Sequence, residues 1–146
     1  MKDSALHLQV QAGTNVAFAN GMMHVILKEG LADRHFIEER TEGFSDLEKM
    51  VADYTPEKVA EICHIHPEDL IQAARMYAKA EKAPIIYCLG VTEHSTGTEG
   101  VMSMSNLAML VGKVGKPGCG VNPLRGQNNV QGACDMGCMP YDFPGY

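Results

Sequence analysis

This sequence predicts an α/β fold: part of a three-layer, parallel-sheet domain of the dinucleotide-binding kind, followed by an irregular C-terminal loop region. Three observations carry that prediction. The order of strand, glycine, polar loop and largely apolar helix occurs twice, over residues 6–27 and again over residues 84–111. Between the two copies lie short segments with helix start signals, which read as connectors. After residue 112 the chain loses any helical or strand period. A length of 146 residues allows one real core, and 45% hydrophobic with 21% charged residues is ordinary for a globular domain.

The elements follow in order. Residues 6–10 alternate apolar and polar as a strand does, and Gly13 breaks the run before an apolar stretch, residues 16–27, that reads as a buried helix. Thr14 or Asn15 is placed to cap it, leaving free N–H groups beside Gly13 at the end of the strand. Doubly wound folds receive phosphates in this way, yet a lone glycine is far from a G-x-G-x-x-G fingerprint, and a plain capped helix fits the same residues. Residues 34–39 are expected to form a helix, residues 41–45 a turn into another that runs to residue 53, and Thr55 ahead of Pro56 signals one more over residues 57–62. His66 and Pro67 open the clearest amphipathic helix. Its Leu70, Ile71, Ala74, Tyr77 and Ala78 make one apolar stripe, while Gln72, Arg75 and Lys79 face water. Cys63-His64-Ile65-His66 offers thiol and imidazole without a second ligand pair at finger-like spacing, and reads as a turn with exposed histidines. Residues 84–89 are a continuous apolar run bounded by proline and Gly90, as in a strand covered on both faces and central in a parallel sheet. A second largely apolar helix spans residues 99–111, with Met102, Met104 and Met109 as core filler. Ligands of open α/β sheets bind at the carboxyl ends of the strands, so the loops after residues 10 and 89 are expected to share one ligand.

Residues 115–140 hold six glycines, three prolines and five side-chain amides, with one acid and two basic residues among them. Amides supply donors and acceptors without net charge, glycines let backbone N–H groups approach a ligand, and Arg125 offers a planar fork for a carboxylate or phosphate. Such a loop suits a large polar cofactor and a small anion. A long surface loop braced by its own amides fits the same composition. A net charge of −6 with no basic stripe argues against a general nucleic-acid or membrane-surface role, and no apolar run approaches the roughly 20 residues that span a bilayer. Five cysteines without a C-x-x-C fit a reducing compartment better than a disulfide framework.

The stretch Asn122-Pro123-Leu124-Arg125-Gly126-Gln127-Asn128-Asn129-Val130-Gln131-Gly132-Ala133-Cys134-Asp135-Met136-Gly137 closely resembles the signature of the catalytic (alpha) subunit of molybdenum- or tungsten-dependent formate dehydrogenases, in the bis-molybdopterin guanine dinucleotide oxidoreductase superfamily. Gly13-Thr14-Asn15, Arg40-Thr41-Glu42-Gly43-Phe44, Gly90-Val91-Thr92, Ser105-Asn106-Leu107-Ala108-Met109-Leu110 and Gly115-Lys116-Pro117 are also similar to that subunit, so the resemblance covers essentially the whole chain. Subunits of that family are several times longer. The resemblance therefore implies an internal piece, with residues 1–125 as part of an α/β molybdopterin-guanine-dinucleotide-binding domain and residues 126–146 as the incomplete start of a second cofactor-binding domain.

The resemblance implies reversible oxidation of formate to carbon dioxide, with electrons passed through the metal to an iron–sulfur cluster. It implies Arg125 as the substrate residue, and Gly13, Asn15, Leu89, Gly90, Thr92, Glu93 and Gln127 as residues that line the cofactor. Many relatives have glutamine where this chain has Glu93, and His94 is a place of variation. The implied cofactors are bis-molybdopterin guanine dinucleotide with molybdenum or tungsten, and a 4Fe–4S cluster in an N-terminal part of the parent subunit. No metal ligand is expected in this chain, because the family's selenocysteine or cysteine ligand precedes this region; Cys134 and Cys138 read as small packing residues, too few for a cluster that normally takes four thiolates. Implied partners are formate and carbon dioxide, the remainder of the alpha subunit, and an electron-transfer subunit carrying iron–sulfur or flavin groups, in the cytoplasm, with any targeting signal upstream. A truncated or stand-alone pterin- or nucleotide-binding module is the non-catalytic alternative. Another molybdopterin oxidoreductase such as a nitrate reductase is the enzymatic one, against which the stretch from Arg125 to Gly137 points to formate.

Overall fold

The computed structural model describes residues 4–145. Its elements run α1 (Asn15–Lys28), α2 (Arg34–Arg40), α3 (Phe44–Val51), α4 (Pro56–Cys63), α5 (Pro67–Lys79), β1 (Pro84–Tyr87), α6 (Leu89–Thr92), α7 (Gly97–Leu110), β2 (Gly120–Pro123) and α8 (Val130–Asp135). α1 is the hub. Every residue from Ala19 to Ile26 is buried on it, and it packs against α3, α4, α5 and α7. A helix enclosed on all sides needs an apolar circumference, which this run supplies. Its central Gly21 lets neighbours come close, since a Cβ there would meet Val59 Cγ2 at 2.9 Å and Leu70 Cδ2 at 3.0 Å.

The connecting helices form where the local signals put them. Asp33 caps α2 by accepting from Phe36 N at 3.0 Å, and Thr55 caps α4 by accepting from Lys58 N at 3.4 Å, with Pro56 at the first turn. α5 buries Leu70 and Ala74 against α1 and α4 and leaves Gln72 and Arg75 wet, as its apolar stripe requires. Arg75 then reaches back to Glu29, with Nη2 to Oε1 at 2.7 Å and Nε to Oε2 at 2.9 Å, and ties α5 to the end of α1. His64 takes a left-handed conformation at the end of α4; it and His66 are exposed while Cys63 is buried, so the three do not converge.

β1 and β2 pair in parallel, with Pro84 opposite Gly120 and Tyr87 opposite Pro123. The expected partner of β1, residues 6–10, is not a strand. That run keeps its alternation, with Leu6, Leu8 and Val10 half-buried and His7 and Gln9 exposed, but no ladder forms along it. Extended residues become a strand only when a neighbour accepts their hydrogen bonds, and the neighbour of β1 is β2. β1 is also not covered on both faces. Ile85 packs on the core, whereas Ile86 is 61% exposed.

Further corrections concern the caps, Met102 and the C-terminal region. Neither Thr14 nor Asn15 caps α1 through its side chain; Thr14 Oγ1 donates to Gln11 O at 2.7 Å instead. Met102 is exposed on α7 rather than filling the core. β2 and α8 bring regular structure into the region after residue 112, and of the cysteines there Cys134 is half-buried while Cys138 is exposed.

Candidate functional site

Parallel strands deliver their following loops to one edge. Leu124, just past β2, donates its N–H to Tyr87 O at the end of β1, at 2.7 Å. A Cβ on Gly126 would lie 3.9 Å from Leu89 Cδ1. Arg125 is therefore bracketed by Leu124, bonded to the end of β1, and Gly126, which lies beside the Leu89 side chain at the start of α6. Its side chain is exposed, and no carboxylate among the described residues pairs with it. Gln127 is exposed two residues on, and α8 follows with Asn129 Oδ1 accepting from Gly132 N at 3.3 Å.

The loop before α1 arrives at the same place. Asn15 Nδ2 donates to Gly90 O at 3.2 Å, across 75 residues of sequence. Beneath it, α4 anchors the loop: Gln11 N donates to Cys63 O at 2.8 Å and the Cys63 thiol points to Thr14 O at 3.8 Å. Burial raises the pKa of that thiol, which keeps it a neutral packing group. Gly13 has φ 84° and nothing within 4 Å of a built Cβ; Gly90 faces the same kind of open space. Both present bare backbone, where a side chain would occupy room that a ligand can use.

Leu89, read from sequence as the end of the strand, and residues 90–92, read as loop, form the single turn α6, closed by Glu93 N donating to Leu89 O at 2.9 Å. Two glycines of α7 make room for it. A Cβ on Gly97 would lie 2.0 Å from Thr92 O, and one on Gly100 would lie 3.2 Å from Val91 Cγ1. Thr92 lines an open hollow of about 350 Å3 with Gly97, Thr98, Val101 and Met102, while Glu93 is exposed. Of the expected residues, Asn15, Leu89, Gly90 and Arg125 thus share one edge through the contacts described above, and Gly13 lies two residues before Asn15 in the chain. Thr92 is turned toward α7.

Sequence reasoning missed Gly97 and Leu124 as parts of this arrangement. Gly97 and Gly100, three apart at the start of a helix, were the available sign of a close backbone approach; nothing in the sequence marked the backbone bond of Leu124. A hollow of about 330 Å3 between α2, α3 and α7, lined by Ile37, Phe44, Leu47, Met109 and the acidic Glu42 and Asp46, contains none of the expected residues. Its apolar floor and acidic rim do not suit an anion.

A bare-backbone edge with neutral amides and the Arg125 guanidinium, unpaired among the described residues, fits a polar, anionic ligand of some size. The sequence model described as "Molybdopterin oxidoreductase" matches residues 1–144. The chain belongs to the molybdopterin oxidoreductase family. Membership implies a molybdopterin cofactor. Within this family the chain is 54% identical over 145 residues to the F420-dependent formate dehydrogenase subunit alpha of Methanocaldococcus jannaschii, a match covering 99% of this chain and 22% of that protein. It is 51% identical over 141 residues to formate dehydrogenase H of Escherichia coli, covering 97% and 20%. Among solved structures, acetylene hydratase from Pelobacter acetylenicus matches with a TM-score of 0.77 at 27% identity, over 80% of this chain and 16% of that one. The chain thus spans about a fifth of the length of these molybdopterin oxidoreductases.

Proposed function

We propose that this chain is a segment of a formate dehydrogenase catalytic subunit that supplies one wall of the cofactor site and the substrate arginine. The observation that carries the reading is the convergence of Arg125 with the turn Leu89–Thr92 and with Asn15 at the carboxyl ends of two parallel strands. The chemistry is HCOO⁻ to CO2 with release of two electrons and one proton. The metal–pterin group, when bound, takes up the electron pair. The residues of this chain do the holding. Arg125 receives both formate oxygens on parallel N–H groups and so fixes the direction of the C–H bond. It is not the base, because a guanidinium stays protonated. Gln127 orients substrate or pterin through its amide, while Gly13, Asn15, Leu89, Gly90 and Glu93 line the polar body of the cofactor; Thr92 serves that site only through the backbone of the turn, since it lines the hollow against α7.

The finer reading follows from the same resemblance: a bis-molybdopterin guanine dinucleotide carrying molybdenum or tungsten, a 4Fe–4S cluster held elsewhere in the subunit, and an electron-transfer partner. Residues 1–125 belong to one cofactor-binding domain and residues 126–146 open the next. Further strands and a second helical layer then complete the sheet and cover the Ile86 face. The test is Arg125→Lys in the complete subunit. Lysine keeps the charge but loses the fork, so kcat/KM for formate should fall about 100-fold or more, with metal and pterin content unchanged. Unaltered formate kinetics would remove Arg125 from the site.

A further inference from the structure

We infer that His94 is a positioning residue for the cofactor-lining turn: its Nε2–H and the Asn15 amide together hold the Gly90 carbonyl, and so fix the backbone of α6. The inference rests on the reading of that turn as part of the cofactor site. His94 Nε2 lies 2.9 Å from Gly90 O, and Asn15 Nδ2 lies 3.2 Å from the same oxygen. A carbonyl oxygen only accepts, so Nε2 carries a proton whenever this contact is made.

α6 needs such support. A single turn of helix has almost no stability of its own, Cys88 at its N-cap makes no side-chain bond, and Gly90 carries the widest conformational freedom of any residue. The peptide plane that joins Gly90 to Val91 is held at both ends. Val91 N donates to Cys88 O at 3.0 Å, and the carbonyl side takes the two donors. Those donors come from different parts of the chain. Asn15 ties the turn to the start of α1, and His94, four residues on, closes it from its own exit. Losing either frees the plane to rotate and changes which backbone groups face the ligand. The Asn15 N–H that binds Gly90 is also no longer available to a ligand, so its role is shared between the loop and whatever the loop holds.

The test uses the complete subunit carrying this sequence, with His94→Ala, His94→Gln and His94→Asn. A Gln amide nitrogen reaches as far as Nε2, whereas an Asn amide stops short. Hydrogen exchange over residues 90–93 should quicken about fivefold in the Ala and Asn variants and stay within about twofold of the parent in the Gln variant, with α5 exchange unchanged in all three. The rate of metal and pterin loss on dilution should follow the same order. Gly13→Val and Gly90→Val serve as controls for the crevice itself. If the glycine variants loosen the cofactor but His94→Ala does not, or if Gln fails to rescue, the inference is overturned. If the glycine variants leave the cofactor in place, the reading of the crevice falls and the inference with it, whatever hydrogen exchange shows for the tether.

Discussion

The hydroxyl of Tyr77 is buried with no hydrogen-bond partner among the described residues, and its pKa is pushed up to about 12, first by that burial and then by Cys119 beside it. A desolvated hydroxyl with nothing in return is a net cost. Tyr77→Phe should therefore raise stability by about 1 kcal/mol, read from urea midpoints at neutral pH. Lys113 Nζ, 5.8 Å above the ring, keeps its aromatic partner in that variant. The same residue sets a pH dependence. The unfolded chain releases the Tyr77 proton near the ordinary value of 10.0, before the folded chain does, so Tyr77 ionisation costs the fold nothing below that pH and lowers its stability progressively on the way to about 12. The difference between parent and Tyr77→Phe should shift in favour of the variant across that window; parallel curves would refute it. Such residues were half legible. Tyr77 was readable as a stripe position, but its missing partner depends on where Cys119 and Lys113 arrive, and no local pattern encodes that. Asn20 is similar: it lay within a stretch read as an apolar, buried helix, and only the packed structure shows its Nδ2 against Met50 Sδ at 3.6 Å, with Oδ1 unmatched among the described residues.

At the scale of elements, glycine contacts decide which pieces meet. Gly97→Ala would drive a methyl into the Thr92 carbonyl, and backbone cannot swing aside as a side chain can. We expect α6 to lift from α7, at a cost of about 1–3 kcal/mol in stability and with loss of cofactor from the complete subunit. Normal cofactor content in that variant would show that the seating of α6 on α7 is dispensable. Arg75 and Glu29 join two elements by charge, and hydrogen bonding to Arg75 lowers the Glu29 pKa below its ordinary 4.5. That contribution is present above 4.5 and disappears as pH falls through the lowered value, so Glu29→Gln should flatten the acid limb of the stability curve in that range. An unchanged limb would show that solvent screens the pair out. α5 was legible because its stripe, its proline and its cap are all local. β2 was not, since Gly120 to Pro123 has no strand period and is extended because β1 offers a ladder.

Across the whole molecule, apolar residues collect on the outside of the C-terminal third. Leu124, Met136, Tyr141 and Phe143 are exposed, Phe143 to 86%, while Val130 and Met139 are half-buried; Tyr146 lies outside the described residues. With Ile86 and Leu89 they leave several large apolar side chains in water. The chain by itself should associate in a concentration-dependent way, and Tyr141→Ser with Phe143→Ser should reduce that association in sedimentation velocity runs; a monomer at all concentrations would contradict this. The α/β class and the central helix were legible, because burial of a long apolar run leaves little choice. The strand pairing was not, because the alternation of residues 6–10 records which side is wet and says nothing of who the neighbour is. A last consequence comes from Lys113, buried on its way to the carbonyl of Ala80 at the end of α5. That contact is a latch closing a loop of 33 residues. Without it, bringing Pro84 to Gly120 means closing the whole intervening chain; with it, only about ten residues remain to be ordered, a saving of about 1 kcal/mol in closure entropy. The latch thereby lowers the closure cost of the strand pair, so the crevice at their ends is expected to form more readily once α7 has docked and the lysine is in place.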